Sequence, residues 1–213
     1  MATPVLEASQ LTVRRMGRII FRDLDLSLTP GTLMQVVGPN GAGKTSLLRV
    51  LSSLVPPAEG RLLWRGRVVR AGDAEFLASL AYVGHTNGID VDLDAETNLR
   101  FAARMAGLSA PDATAIRHAL ARLGLDTLRD VPVRALSQGQ RRRVSLARLA
   151  LAPRELWLLD EPLTSLDLDT SDRFHTLLAQ HLADGGMAVI ATHQAIPLPC
   201  QTLTLGPTTS ARR

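Results

Sequence analysis

The chain has 213 residues, 46% hydrophobic and 21% charged, with a net charge of +4 and one cysteine. That length and composition suit one large domain or two small ones with a real core and argue against a disordered protein. No apolar run approaches the roughly 20 residues that cross a bilayer, and Met1 to Val5 lacks the basic-then-apolar order of a secretion signal. Cys200 alone excludes an internal disulfide, and the chain is expected to stay in the compartment where it is made. Of the 24 basic residues only Lys44 is a lysine. A lysine in so arginine-rich a chain marks a place that requires a compact ammonium rather than a planar guanidinium.

Leu24, Leu26 and Leu28 alternate as in a half-buried strand, and Pro30-Gly31 reads as the turn after it. Leu33 to Val37 is a short apolar run, a second strand, followed by a glycine-rich turn and a helix from Lys44 to about Leu54 that Pro56-Pro57 ends. Arg61 to Val69 predicts two short strands around Gly66, and Leu80 to Val83 another. The middle of the chain then turns helical. Asp94 is the expected cap of a helix reaching Ala106, with Gly107 as terminator. Ser109 is the expected cap of a second helix that runs to Leu123 and closes at Gly124. Ser137 is the expected cap of a third, from Gln138 to about Ala152.

Leu156 to Leu159 predicts a buried strand ending in two acids. Asp169 to about Ala183 reads as helix, Ala188 to Ala191 as strand, and Leu203 to Leu205 as a final edge strand. Strands alternating with helices predict an α/β fold with a largely parallel sheet and helices on both faces. The organisation expected is one domain over 1–213. Its core is 1–89 and 153–205, a helical part covers about 90–152, and 206–213 forms a frayed polar tail.

Gly38-Pro39-Asn40-Gly41-Ala42-Gly43-Lys44-Thr45 matches G-x-x-x-x-G-K-[ST] between a strand and a helix, with Ser46 continuing into the helix. The glycines let the backbone wrap around phosphate oxygens, and N–H groups point inward at the helix N-terminus. Lys44 is expected to neutralise the β- and γ-phosphates of ATP, and the Thr45 hydroxyl to ligate Mg²⁺. Asp160, at the end of a buried strand, is expected to hold the same ion, and Glu161 to act as general base on the attacking water. Arg141, Arg142 and Arg143 read best as a solvent-facing stretch of helix.

Leu136-Ser137-Gln138-Gly139-Gln140 resembles the LSGGQ signature of ABC ATPases, with Gln138 in place of a glycine. The resemblance extends over residues 5 to about 205. It implies a P-loop fold with an antiparallel β part and a helical subdomain beside the parallel core. Ser137, Gly139 and Gln140 would form a second anion site, reached only in a head-to-tail dimer of two copies that sandwiches each nucleotide. Ser165-Leu166-Asp167 falls where the family has its D-loop, and His193 where it has the switch histidine that contacts the γ-phosphate. Two positions depart from the pattern. The glutamine usual after Leu80 to Val83, which links metal to transport partner, is absent, so that His85 or Thr86 serves there or the link is weaker. No aromatic residue precedes the phosphate loop at the adenine-stacking position, so that Arg14 or Arg15 stacks on the base or base recognition is loose.

Within that family, Leu63-Trp64-Arg65-Gly66, Tyr82-Val83-Gly84-His85, Glu96-Thr97-Asn98-Leu99 and Thr192-His193-Gln194 resemble the ATPase subunits of cytochrome c maturation systems. This implies haem handling with integral membrane permease subunits, at the cytoplasmic face of the cell inner membrane and without nucleic acid. The ATPase of another small ABC exporter or importer shares every catalytic residue and is the second reading. A non-transport ABC ATPase acting on nucleic acid or ribosomes is the third, and it usually carries two cassettes or long coiled-coil insertions.

Overall fold

The computed structural model describes residues 3–108, 112–152 and 154–206. Two sheets organise it. A four-stranded antiparallel sheet contains β1 (Leu6–Arg15), β2 (Arg18–Leu28), β4 (Glu59–Trp64) and β5 (Arg67–Val68) in the order β2-β1-β4-β5. A five-stranded parallel sheet contains β3 (Leu33–Val37), β6 (Leu80–Val83), β7 (Leu156–Asp160), β8 (Met187–Ala191) and β9 (Gln201–Thr204) in the order β6-β7-β8-β3-β9. The central strands β7 and β8 are buried at every residue, which is why they read as unbroken apolar runs.

Side chains alternate across the parallel sheet and divide the core into two. Leu156, Leu158, Met187 and Val189 face α1 (Lys44–Leu51), α2 (Ala74–Ser79) and the antiparallel sheet. Trp157, Leu159, Ala188 and Ile190 face α5 (Gln138–Leu151), α6 (Leu168–Ala183) and, beyond them, α3 (Ala95–Met105) and α4 (Ala113–Ala121). So one face carries an antiparallel sheet as well as helices, and the other carries helices alone.

Several local expectations need correction. Helix α1 stops at Leu51, five positions before the first proline, with Ser52 as its cap and Ser53 at φ 55. The cap of α4 is Asp112, whose carboxylate accepts from Ala115 N, because Asp112 itself has the extended backbone a cap needs. Ser109 to Pro111 and residues 207–213 lie outside the described residues, so neither the Ser109 cap nor the frayed tail is seen. Arg141 to Arg143 do not simply face water. Arg142 is 4% exposed, Arg141 donates to the carbonyls of Val133, Leu136 and Arg134, and Arg143 donates to those of Leu123 and Gly124. The other expected caps hold: Asp94 accepts from Thr97 N, and Ser137 opens α5 with a full capping box.

Candidate functional site

Strands β6, β7, β8 and β3 are consecutive neighbours, and each delivers a piece of one cleft from its C-terminal end. After β3 comes the loop 38–43. Gly43 has φ 102, and a Cβ there would fall 2.3 Å from Ile20 Cγ2, so β2 presses on the turn from below. Gly38, at φ 149, could not carry a Cβ either, since it would meet the Leu205 carbonyl at 2.3 Å. Ala42 N donates to the Pro39 carbonyl and closes the loop.

Lys44 is buried at the first position of α1. Its ammonium donates to the Gly38 carbonyl at 2.8 Å and faces the Pro39 carbonyl at 3.4 Å and His193 Nε2 at 2.9 Å. His193, two residues beyond β8, also lies 3.2 Å from Asn40 Oδ1 and 3.7 Å from Glu161 Oε1. Glu161 follows β7 with a left-handed backbone, φ 48, and its N–H donates to the Ala191 carbonyl at 2.8 Å. The Thr45 hydroxyl donates to Asp160 Oδ2 at 2.8 Å.

These groups border a cleft of about 270 Å³ lined by Arg15, Ile20, Asn40, Gly41, Gly43, Lys44, Thr45, Ser46, His85, Asp160 and Glu161. Of the open pairs in the sequence, Arg15 and His85 reach the cleft, whereas Arg14 pairs with Glu59 and Thr86 is not among the lining residues. Thr45 and Asp160 place two hard oxygen donors side by side, the chemistry that suits Mg²⁺ with few protein ligands and phosphate oxygens beside them. Among the described residues no group of three or more His, Cys, Asp or Glu side chains forms a metal cage.

The signature residues lie elsewhere. Ser137, Gly139 and Gln140 are absent from the cleft lining. Ser137 Oγ accepts from Gln140 N at 3.2 Å, and the Gln140 side chain accepts from Ser137 N at 2.8 Å, so both side chains are engaged in capping α5. Gly139 has a packing reason of its own: a Cβ would sit 2.5 Å from the Ser165 carbonyl. Asp167 caps α6, and the hydrogen bonds from Thr170 hold its carboxyl below the usual range. The next residue, Leu168, is 86% exposed.

Sequence reasoning passed over Arg142, whose guanidinium reaches the carbonyls of Asp160, Glu161 and Pro162. Burial brings its pKa down to about 10. The run of three arginines hid it, because charge runs read as solvated faces.

The order of strands, phosphate loop and signature defines an ATP-binding cassette, the nucleotide-hydrolysing domain of ABC transporters. The profile of the ABC transporter family matches residues 21–164. The cytochrome c biogenesis ATP-binding export protein CcmA 2 of Cupriavidus metallidurans is 68% identical over 197 residues, covering 92% of this chain and 93% of that protein. The CcmA protein of Methylococcus capsulatus is 44% identical over 207 residues, covering 96% and 100%. Among solved structures, an ABC transporter ATP-binding protein from Pyrococcus furiosus superposes with TM-score 0.83 at 23% identity, covering 94% of this chain and 96% of its own. A cassette solved as a dimer after hydrolysis, with ADP and phosphate bound, gives 0.79 at 22% identity, covering 89% and 88%. The chain belongs to the ABC transporter ATP-binding family and, within it, to the cytochrome c biogenesis ATP-binding export proteins. Among the described residues no helix is long and apolar enough to cross a membrane.

Proposed function

We propose that this ATPase works as a head-to-tail dimer in which each site takes its phosphate loop and acids from one chain and its signature from the other. The observation that carries this is the division of the motifs: Lys44, Thr45, Asp160, Glu161 and His85 share one cleft, with His193 against Lys44, while Ser137, Gly139 and Gln140 stand outside it. Leu168, 86% exposed and three residues after the Ser165 whose carbonyl packs on Gly139, offers an apolar contact to the partner.

In this reading the backbone of Gly38 to Gly43 and the Lys44 ammonium bind the β- and γ-phosphates of ATP, and Ser46 extends the loop's contacts at the start of α1. Thr45 and Asp160 hold Mg²⁺, with His85 as the neighbouring polar group. The ion, when bound, adds positive charge where the phosphates carry negative. Glu161 accepts the proton of the attacking water, and His193 steadies the γ-phosphate side. Arg15 lays its guanidinium plane against the base, an arrangement open to arginine where an aromatic residue is missing. Residues of about 90–152 form the subdomain that presents Ser137 to the partner.

A second cavity of about 440 Å³ opens between α2, β6, α3 and α5, lined in part by Leu77, Phe101 and Met105 at 39%, 61% and 73% exposed. It suits a short amphipathic helix from an integral membrane subunit. We place the assembly at the cytoplasmic face of the inner membrane, driving haem handling during cytochrome c maturation, in keeping with the export function in its relatives' names. Glu161→Gln tests the chemistry: with MgATP it should form a stable dimer by light scattering and release almost no phosphate. Unchanged turnover would remove Glu161 as the base. Affinity purification from membranes tests the assignment, and a partner unconnected with cytochrome c assembly would defeat the haem reading while leaving the ATPase intact.

A further inference from the structure

Arg142 lies on α5, five residues after Ser137, and is 4% exposed. Its Nη2 donates to the carbonyls of Asp160 at 2.7 Å and Glu161 at 2.9 Å, and its Nε to that of Pro162 at 3.2 Å. Its Nη1 turns the other way, to the Gly84 carbonyl at 2.9 Å and Asn87 Oδ1 at 3.3 Å. All five acceptors are neutral oxygens. Burying a guanidinium among them carries a desolvation cost that an apolar side chain filling the same space avoids.

What the cation holds is unusual backbone. Glu161 is not a glycine, yet its φ is 48. Such a conformation persists only where the surroundings over-determine it. Here they do: Glu161 N is tied to Ala191, and the carbonyls of Asp160 and Glu161, on either side of the Glu161 Cα, are tied to one guanidinium. Fixing both peptide planes fixes the Cα–Cβ bond from which the side chain starts, and its Oε1 stands 3.7 Å from His193 Nε2.

We propose that Arg142 is a positioning residue for ATP hydrolysis, holding Glu161 in its left-handed backbone and locking that turn to the 84–87 loop. The same side chain joins three segments: the signature helix, the end of β7 with its acids, and the loop that carries His85. The placement of the base therefore depends on how α5 is seated. The loop after β6 connects to the acids through its own carbonyl, a route that needs no glutamine side chain. The proposal rests on Glu161 as general base, and its test separates the two.

Arg142→Lys and Arg142→Met in the full-length protein, with Glu161→Gln as reference, provide that test. A displaced base should lower kcat by about 100-fold, the cost of a misplacement on the order of 1 Å, while KM and ATP affinity stay within about twofold. Like Glu161→Gln, both variants should accumulate the ATP-bridged dimer, which a general loss of structure would not produce. Arg142→Lys keeps the buried charge and serves where Arg142→Met fails to fold. Added to Glu161→Gln, it should cause no further loss in single-turnover hydrolysis. Wild-type kcat in Arg142→Lys beside an inactive Glu161→Gln overturns this proposal alone, as does a loss confined to KM or an additive loss in the double variant. Wild-type turnover in Glu161→Gln overturns the base assignment, and this proposal with it.

Discussion

Gly43→Ala should damage the protein in two separable ways. The new methyl would stand 2.3 Å from Ile20 Cγ2 and 3.3 Å from Phe21 Cδ1, where carbon atoms normally rest about 3.5–4.0 Å apart. Relieving the first contact needs a shift of more than about 1 Å, and overpacking of that kind costs about 1–3 kcal/mol. The backbone, at φ 102, adds about 1–2 kcal/mol for any L residue. The total, about 2–5 kcal/mol, should appear as a lower midpoint in urea, and displacement of the Lys44 end of the loop should weaken ATP binding by at least about tenfold. A double-mutant cycle with Ile20→Ala divides the sum. Removing Cγ2 should return about 1–3 kcal/mol of the loss and leave the backbone part in place. A variant as stable as the wild type, or an equal loss in both backgrounds, would refute the claim that β2 shapes the phosphate loop.

Three further outcomes follow from other parts of the molecule. Ser137 both caps α5 and is assigned to the anion site. Ser137→Ala should therefore lose about 1 kcal/mol of stability, whereas Ser137→Asp should keep the cap yet lose turnover by placing a negative charge against phosphate. Arg15→Ala should weaken ATP binding measured with a fluorescent nucleotide, and Arg14→Ala should leave it unchanged, since only Arg15 lines the cleft. Burial holds the imidazoles of His175 and His181 below their ordinary value of 6.5. The unfolded chain then binds protons that the folded chain refuses. Stability is complete above pH 6.5 and falls as pH drops through the lowered values. Melting temperatures at about pH 7.5 and about pH 5 check this. His181→Phe, which preserves the stack on Trp157 seen at 3.8 Å, should flatten part of the slope.

How much of this could be read from the sequence depended on whether a signal was local. The phosphate loop, the acid pair and the signature are contiguous strings whose chemistry requires particular residues, and the strands feeding them are unbroken apolar runs. The antiparallel sheet was harder. Strand β1 carries no clear period-two signal, because register shifts between Ala8 and Leu11 and again at Val13 break its alternation. Helix α2 has six residues, too few for a helical period to show. Whether Arg14 or Arg15, and His85 or Thr86, lines the cleft depends on which way a strand or loop turns, and it is Arg15 and His85 that do. Arg142 is the clearest case. Nothing in Arg141-Arg142-Arg143 distinguishes the one that the helix drives beneath the acids from its two neighbours.

The central claim is that one complete site needs two chains, and mixing two inactive variants tests it most directly. Lys44→Ala leaves the signature intact, and Ser137→Arg leaves the phosphate loop and acids intact. Each alone should hydrolyse almost no ATP. An equal mixture should form half of its dimers with one chain of each kind, and each of these should carry one whole site, restoring about a quarter of wild-type turnover. A mixture as inactive as its parts would contradict the shared site, and so would full activity of Ser137→Arg alone.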